Sequence, residues 1–291
     1  MKDMGTAMKL LNGMDLSKLG KLAEKVDLNE LVGLVSSLDE ASLAALMKMG
    51  KARKPKTLPE VNGDFYGLGS TLTESQREVQ LQVRAFMERE VEPIINDYWS
   101  RDEFPQQLIP KFRELNLISK LYNPDGSRVA DAAVLEGIAT LEMARIDVST
   151  ATFFGVHSGL AMLSILVGGS DEQRAHWLPK MRNMDVVGAF GLTEPHVGSG
   201  VAGGLTTTCR RDSDAWVLNG EKYWIGNSTF SDIVIVWARD VADNEVKGFI
   251  VETDTPGYSV EKIMGKIALR AVENGHITLT ECRVPETHRL Q

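Results

Sequence analysis

Cysteine is scarce. Cys209 and Cys282 are the only two in 291 residues. They fit neither a CxxC pair nor a metal-ligand spacing, so a disulfide framework is not expected and both read as reduced strand residues in a cytosolic-type compartment. Histidine is thin as well: His157, His176, His196, His276 and His288 are scattered without HxH or HxxxH spacing, and no metal site is expected. No run of about 18 apolar residues stands out, so no transmembrane segment is expected. The N-terminus lacks the basic, apolar, small-residue order of a secretory signal. Asp3, Asp15, Glu24, Asp27 and Glu30 also make it too acidic for a mitochondrial presequence, leaving a cytoplasmic setting as the default. Basic excess is missing: the net charge is −8 and no basic stripe emerges, which argues against a nucleic-acid partner but not against a local cationic pocket for an anion. A GxSxG nucleophile elbow is absent, and His157-Ser158-Gly159 is not one.

What is present divides by texture. Residues 1–50 read as a helical appendage, with Leu31, Val32, Leu34, Val35, Leu43, Leu46 and Met47 at helix-compatible spacing. Residues 51–72 read as a linker carrying Pro55, Pro59, Gly63, Gly67 and Gly69. Residues 73–185 read as a helical domain. Thr73 to Gln76 and Ser170 to Gln173 are capping boxes, and Val79, Val83 and Phe86 form an apolar stripe that Pro93 stops. Leu108, Phe112 and Leu115, then Val134, Ile138 and Leu141, continue the helical period, and Ser149 to Val167 is apolar enough for a helix buried on several sides.

From about residue 186 the period becomes two. Strands are expected at 205–210, 215–218, 221–225, 232–238, 247–252 and 276–283, with Asn219-Gly220 as a two-residue hairpin turn. Helices first and strands second predict an α+β protein with a mostly antiparallel sheet.

The chemistry concentrates between residues 188 and 230. A small hydroxyl (Thr193), a glycine-serine turn (Gly198, Ser199, Gly200) and a flat ring (Trp224) sit at strand edges and could together hold a flat, phosphate-bearing cofactor. Gly198 to Gly203 also satisfies GxGxxG, but the strand-like Leu205-Thr-Thr-Thr-Cys209 follows where a nicotinamide-dinucleotide fold needs a helix. Glu194 has two readings, a catalytic base or the anchor of a tight turn, and the second is preferred. Trp224 alone would read as a core aromatic of a hairpin.

Phe-Gly-Leu-Thr-Glu-Pro (190–195), Trp-Ile-Gly-Asn-Ser (224–228), Gly-Phe-Ile-Val (248–251) and Val-Pro-Glu (284–286) occur in order, and with them residues from about 73 to 291 resemble the N-terminal and middle domains of acyl-CoA dehydrogenases. The branch most resembled is that of glutaryl-CoA dehydrogenases and short-chain acyl-CoA oxidases. The resemblance implies a helical N-terminal domain, then an antiparallel β-barrel domain, flanking FAD. It implies flavin contacts from Phe190, Leu192 and Thr193, pyrophosphate contacts from Gly198 and Ser199, with Ser199 also beside the acyl-CoA path, and a strand over the ring at Trp224, Ile225 and Gly226. This chain departs from the pattern at Gly200, where the family usually has Asp, and at Gly226, where it often has Thr. The implied reaction is FAD-dependent α,β-dehydrogenation of an acyl-CoA thioester, with a glutamate base supplied by a C-terminal helical bundle. Gln291 falls about where that bundle is expected to begin. The catalytic residue is therefore unassigned, and activity of this chain alone is not expected. A homo-oligomer or a complementing subunit is expected as partner. The alternative is an inactive acyl-CoA-binding or partner subunit built on the same scaffold.

Overall fold

The computed structural model describes residues 64, 66–201 and 204–291; the expected appendage and the linker up to residue 63 lie outside the described residues. Helix α1 (Glu74–Phe86) opens on the expected capping box, with Gln76 N donating to Thr73 Oγ1 at 3.3 Å and Thr73 N donating to Gln76 Oε1 at 3.1 Å. Its stripe of Val79, Val83 and Phe86 is buried. The chain passes through a π-helical turn, Met87–Val91, and turns at Pro93 into α2 (Ile95–Arg101). Helices α3 (Leu108–Leu115) and α4 (Ile118–Leu121) follow, with Leu108, Phe112 and Leu115 buried as the spacing predicts.

Helix α5 (Ala132–Ile146) is rotated from its expected setting. Leu135, Ala139, Glu142 and Met143 face the core, whereas Val134 and Leu141 are 46% and 40% exposed. The reason is electrostatic. Glu142 accepts from Arg84 Nη2 at 2.8 Å, Arg84 Nε at 2.9 Å and Gln80 Nε2 at 2.9 Å, so a carboxylate that would mark a wet face is neutralised by α1 and buried.

The 21-residue helix α6 (Val148–Gly168) corrects a second expectation, because its length and apolar composition do suffice to cross a membrane. In this fold it is a core helix, with a π-helical segment at Val156–Ala161 and with Phe153, Phe154, Ala161, Met162 and Ile165 buried. Phe153 packs on Phe104 (centroids 4.4 Å) and Phe112 (5.6 Å), and Phe112 on Phe86 (4.8 Å), joining four segments through aromatic contacts. Helix α7 (Asp171–Arg182) begins on the second capping box. Its Gln173 side chain also donates to the carbonyls of Thr287 and Arg289 near the end of the chain.

Among the described residues the sheet has seven strands: β1 (Gly188–Gly191), β2 (Thr208–Asp212), β3 (Ala215–Gly226), β4 (Ile233–Asp240), β5 (Val246–Glu252), β6 (Tyr258–Lys262) and β7 (Asn274–Pro285). Their order is β1-β4-β2-β3-β7-β6, with β5 on β4. Only β1 and β2 run parallel to β4; the other pairings are antiparallel, and the sheet is curled. Both faces of β4 are buried: Ile233 and Ile235 join the helical core, while Val234 and Val236 join a second core of Leu218, Phe249, Ile277 and Cys282.

The expected hairpin at Asn219-Gly220 does not exist. β3 is one continuous strand of twelve residues, and the reversal into it comes at Ser213-Asp214, after the pair Asp212↔Ala215. Gly220 instead marks a bulge, where the register slips from Leu218↔Cys282 to Gly220↔Leu279. Its φ of +140° and the neighbouring Thr207, whose Cα would lie 2.6 Å from any Cβ, explain the glycine. β2 starts only at Thr208, because the backbone before it is bonded elsewhere. The short β6 carries no signal among the strands expected from sequence.

Candidate functional site

The site is built where the chain leaving β1 meets a second irregularity of β3. Tyr223 N donates to Thr193 O at 2.8 Å, and Lys222 Nζ donates to Leu192 O at 3.0 Å. These bonds lace residues 192–194 to residues 222–223. Just beyond them the β3–β7 register jumps from Lys222↔Ile277 to Ile225↔Gly275. Within that jump Trp224 takes a φ of +63°, uncommon for a bulky residue, and leaves its indole 52% exposed. Asn274 Nδ2 holds the Trp224 carbonyl at 2.9 Å, and the Tyr223 ring stands edge-on to the indole at 5.0 Å. Asn227, also left-handed, donates to Phe153 O at 3.1 Å and fixes the strand end to α6.

Glu194 resolves in favour of the anchor. It is buried and its carboxylate takes four donors: Thr206 N and Thr206 Oγ1 at 2.6 Å, Thr207 N at 2.9 Å and Lys222 Nζ at 2.9 Å. Burial alone would raise its pKa, but the hydrogen bonds from Thr206 and Lys222 outweigh it and hold the carboxyl at about 2. Burial lowers the Lys222 ammonium against the pull of Glu194, yet its Nζ donates to two oxygens, which is the geometry of a charged pair. A carboxylate so occupied is no proton acceptor near neutral pH. Glu194 and Val197 also bond each other's backbone at 3.3 Å, closing the turn through Pro195 and His196.

The residues singled out from sequence are thus distributed unevenly. Leu192, Thr193 and Trp224 are brought together by the Tyr223 bond. Phe190 lies upstream on β1, half-buried and 6.2 Å from the Trp237 ring. Ile225 turns its side chain into the sheet core, and a Cβ on Gly226 would meet Val272 Cγ1 at 3.4 Å. These two can offer a ligand only backbone. Gly198 and Ser199 are exposed, in a loop that leaves at Glu194 and returns at Thr206, and neither forms a hydrogen bond to another described residue. Gly200 lets that loop close: Gly204 N donates to Gly200 O at 2.6 Å, and a Cβ on Gly200 would fall 2.0 Å from Val197 Cγ1. Lys222 escaped the sequence reading, since a lone lysine in a strand reads as a solvent-facing position. Its signal was faint: the lysine stands two residues before the ring-bearing Trp224.

A flat aromatic ligand suits what is presented. The Thr193 hydroxyl is half-buried without a partner among the described residues, and an indole beside it faces outward on strained backbone. Among the described residues the buried charges of the seam, Lys222 and Glu194, satisfy each other.

Family models match two stretches: acyl-CoA dehydrogenase, N-terminal domain, at residues 73–185, and acyl-CoA dehydrogenase, middle domain, at residues 189–282. The mitochondrial short-chain specific acyl-CoA dehydrogenase of Rattus norvegicus is 32% identical over 222 residues, covering 75% of this chain and 54% of that protein. Two solved structures share the fold. A glutaryl-CoA dehydrogenase from Mycobacterium smegmatis in complex with FADH2 has a TM-score of 0.71 at 33% identity, over 77% of this chain and 57% of that one. An acyl-CoA dehydrogenase from Bacillus anthracis complexed with FAD has a TM-score of 0.70 at 28% identity, over 76% and 38% respectively. The chain spans about half the length of the curated relatives it matches.

Proposed function

Because the chain belongs to the acyl-CoA dehydrogenase family, we propose that the seam between Thr193 and Trp224 holds the ring of FAD and serves the α,β-dehydrogenation of an acyl-CoA thioester. One observation carries the reading: a solvent-facing indole on a strained bulge, fixed by the Tyr223–Thr193 bond beside a hydroxyl without a partner among the described residues. When bound, the flavin supplies an acceptor at N5 for the hydride leaving the β-carbon. The protein's part is placement. Thr193, with the backbone of Phe190 to Thr193, would hydrogen-bond the heteroatom edge of the ring, and Trp224 and the backbone to Gly226 would cover a face. The Gly198-Ser199 turn would offer backbone N–H groups to the pyrophosphate, and Ser199 would border the acyl-CoA path.

Removing the α-proton demands a desolvated, aimed base. Glu194 is committed to four donors, so this reading assigns the base to a glutamate outside the described residues, in a helical bundle of the kind the resemblance implies. A homo-oligomer or a complementing subunit, in a cytoplasmic setting, belongs to the same proposal. The test is to titrate the 291-residue chain with FAD and assay it with short acyl-CoA substrates and an artificial electron acceptor. FAD uptake without turnover is expected. Turnover abolished by changing a carboxylate within residues 1–291 overturns the assignment of the base. Uptake of acyl-CoA with no uptake of FAD favours the inactive acyl-CoA-binding subunit instead.

A further inference from the structure

The buried pair Lys222–Glu194 does more than satisfy itself. Both side chains are fully buried, and between them they contact three separated stretches of chain: Leu192 to Glu194 after β1, Thr206 and Thr207 before β2, and Lys222 within β3. Two consequences follow from the connectivity. Residue 223, next to the lysine, donates to Thr193 O, so the position of Lys222 sets Thr193 against Trp224. The two ends of the loop bearing Gly198 and Ser199 are tied at the same carboxylate, and Arg239 adds bonds to Leu205 O (3.1 Å) and Thr207 O (2.9 Å). The neck of the loop is held while Gly198 and Ser199 are exposed. A buried ion pair adds little net stability over an apolar pair of the same shape; what these bonds do here is fix the three stretches against one another.

We propose that Lys222 and Glu194 are positioning residues of the flavin site: the pair presets the Thr193 hydroxyl against the Trp224 indole and fixes the neck of the 195–205 loop, so that ring and phosphate contacts stand ready before the cofactor arrives. This rests on the flavin reading above. Neither residue touches the reacting atoms.

The test uses the full chain and FAD alone. Single changes strand a buried charge and risk unfolding, so the decisive variant is the double change Lys222→Met with Glu194→Gln, which removes both charges and nearly keeps the shape. The expected result is a folded protein with a lowered melting temperature, because one glutamine oxygen cannot serve Thr206 and Thr207 as two carboxylate oxygens do, and with an FAD dissociation constant raised about tenfold, because two contact groups must now be ordered on binding. An unchanged dissociation constant in that variant overturns the proposal. Amide exchange supplies an arm that needs neither variant nor cofactor. In the wild-type chain the amides of Tyr223, Thr206 and Thr207 should exchange as slowly as those of the β3–β7 ladder, and fast exchange there overturns the clamp. Should the wild-type chain take up no FAD while those amides remain protected, the flavin reading fails and the clamp survives as a structural device without the assigned role.

Discussion

Trp224 holds a bulky side chain on left-handed backbone, half exposed, where a smaller residue would be cheaper. Its replacement should therefore separate binding from stability. Trp224→Ala should weaken FAD binding by about 1–3 kcal/mol while the melting temperature without FAD scarcely moves. Equal losses with and without FAD in a thermal melt would return the residue to an ordinary packing role. Glu194 behaves oppositely. Its folded pKa of about 2 lies below the ordinary 4.5, so the stability it contributes is present above about 4.5 and is lost as pH falls toward 2. Glu194→Gln combined with Lys222→Met, which strands no charge, should flatten that acid dependence, read as a smaller difference between urea midpoints at about pH 5 and about pH 3. Removing Lys222 alone, as in Lys222→Met, leaves Glu194 unpaired and should cost about 3–5 kcal/mol in urea unfolding. Sequence could name Thr193 and Trp224, because small hydroxyls and flat rings at strand edges are chemically conspicuous. It could not name Lys222, whose burial depends on a carboxylate 28 residues away.

At the level of elements, β3 and α5 show where local signals mislead. Asn-Gly is a strong turn signal, yet β7 lies alongside β3 for its whole length and keeps the ladder going through a bulge. Gly220→Ala should cost at least about 1–3 kcal/mol, since φ of +140° is closed to a side chain that would also strike Thr207. A thermal melt measures that loss. In α5 the error came from Glu142, whose Arg84 and Gln80 partners lie about 60 residues earlier and are invisible to periodicity. Capping boxes were legible because all their partners fall within four residues.

For the whole molecule, the order of helices and strands was readable because each switches its hydrophobic period cleanly, whereas the strand order and the parallel β1–β4 and β2–β4 pairings depend on contacts no local pattern encodes. His157 joins the two halves: Gly188 N donates to its Nδ1 at 3.0 Å, and its Nε2 lies 2.9 Å from Met181 O. Burial lowers its pKa to about 4, against the pull of the Met181 carbonyl. Its neutral form is the folded one, so the stability it contributes is present above about 6.5 and lost as pH falls toward 4, a contribution of about 3 kcal/mol. His157→Gln should remove that part of the pH dependence, measured by urea unfolding across the same range. A shortened chain beginning at Gly63 keeps the Asp64 bonds to Leu68 and Gly69 and should fold with the melting temperature of the full chain. Failure to fold would assign residues 1–62 to the core.

The unbroken run of β3 also decides where this protein can be interrupted. An epitope or fluorophore spliced between Asn219 and Gly220, the spot a sequence-guided engineer would choose, would sever a strand flanked by β2 and β7 and scatter the ring-bearing end from the rest. The exposed reversal at 241–244, between β4 and β5, is the place to add residues.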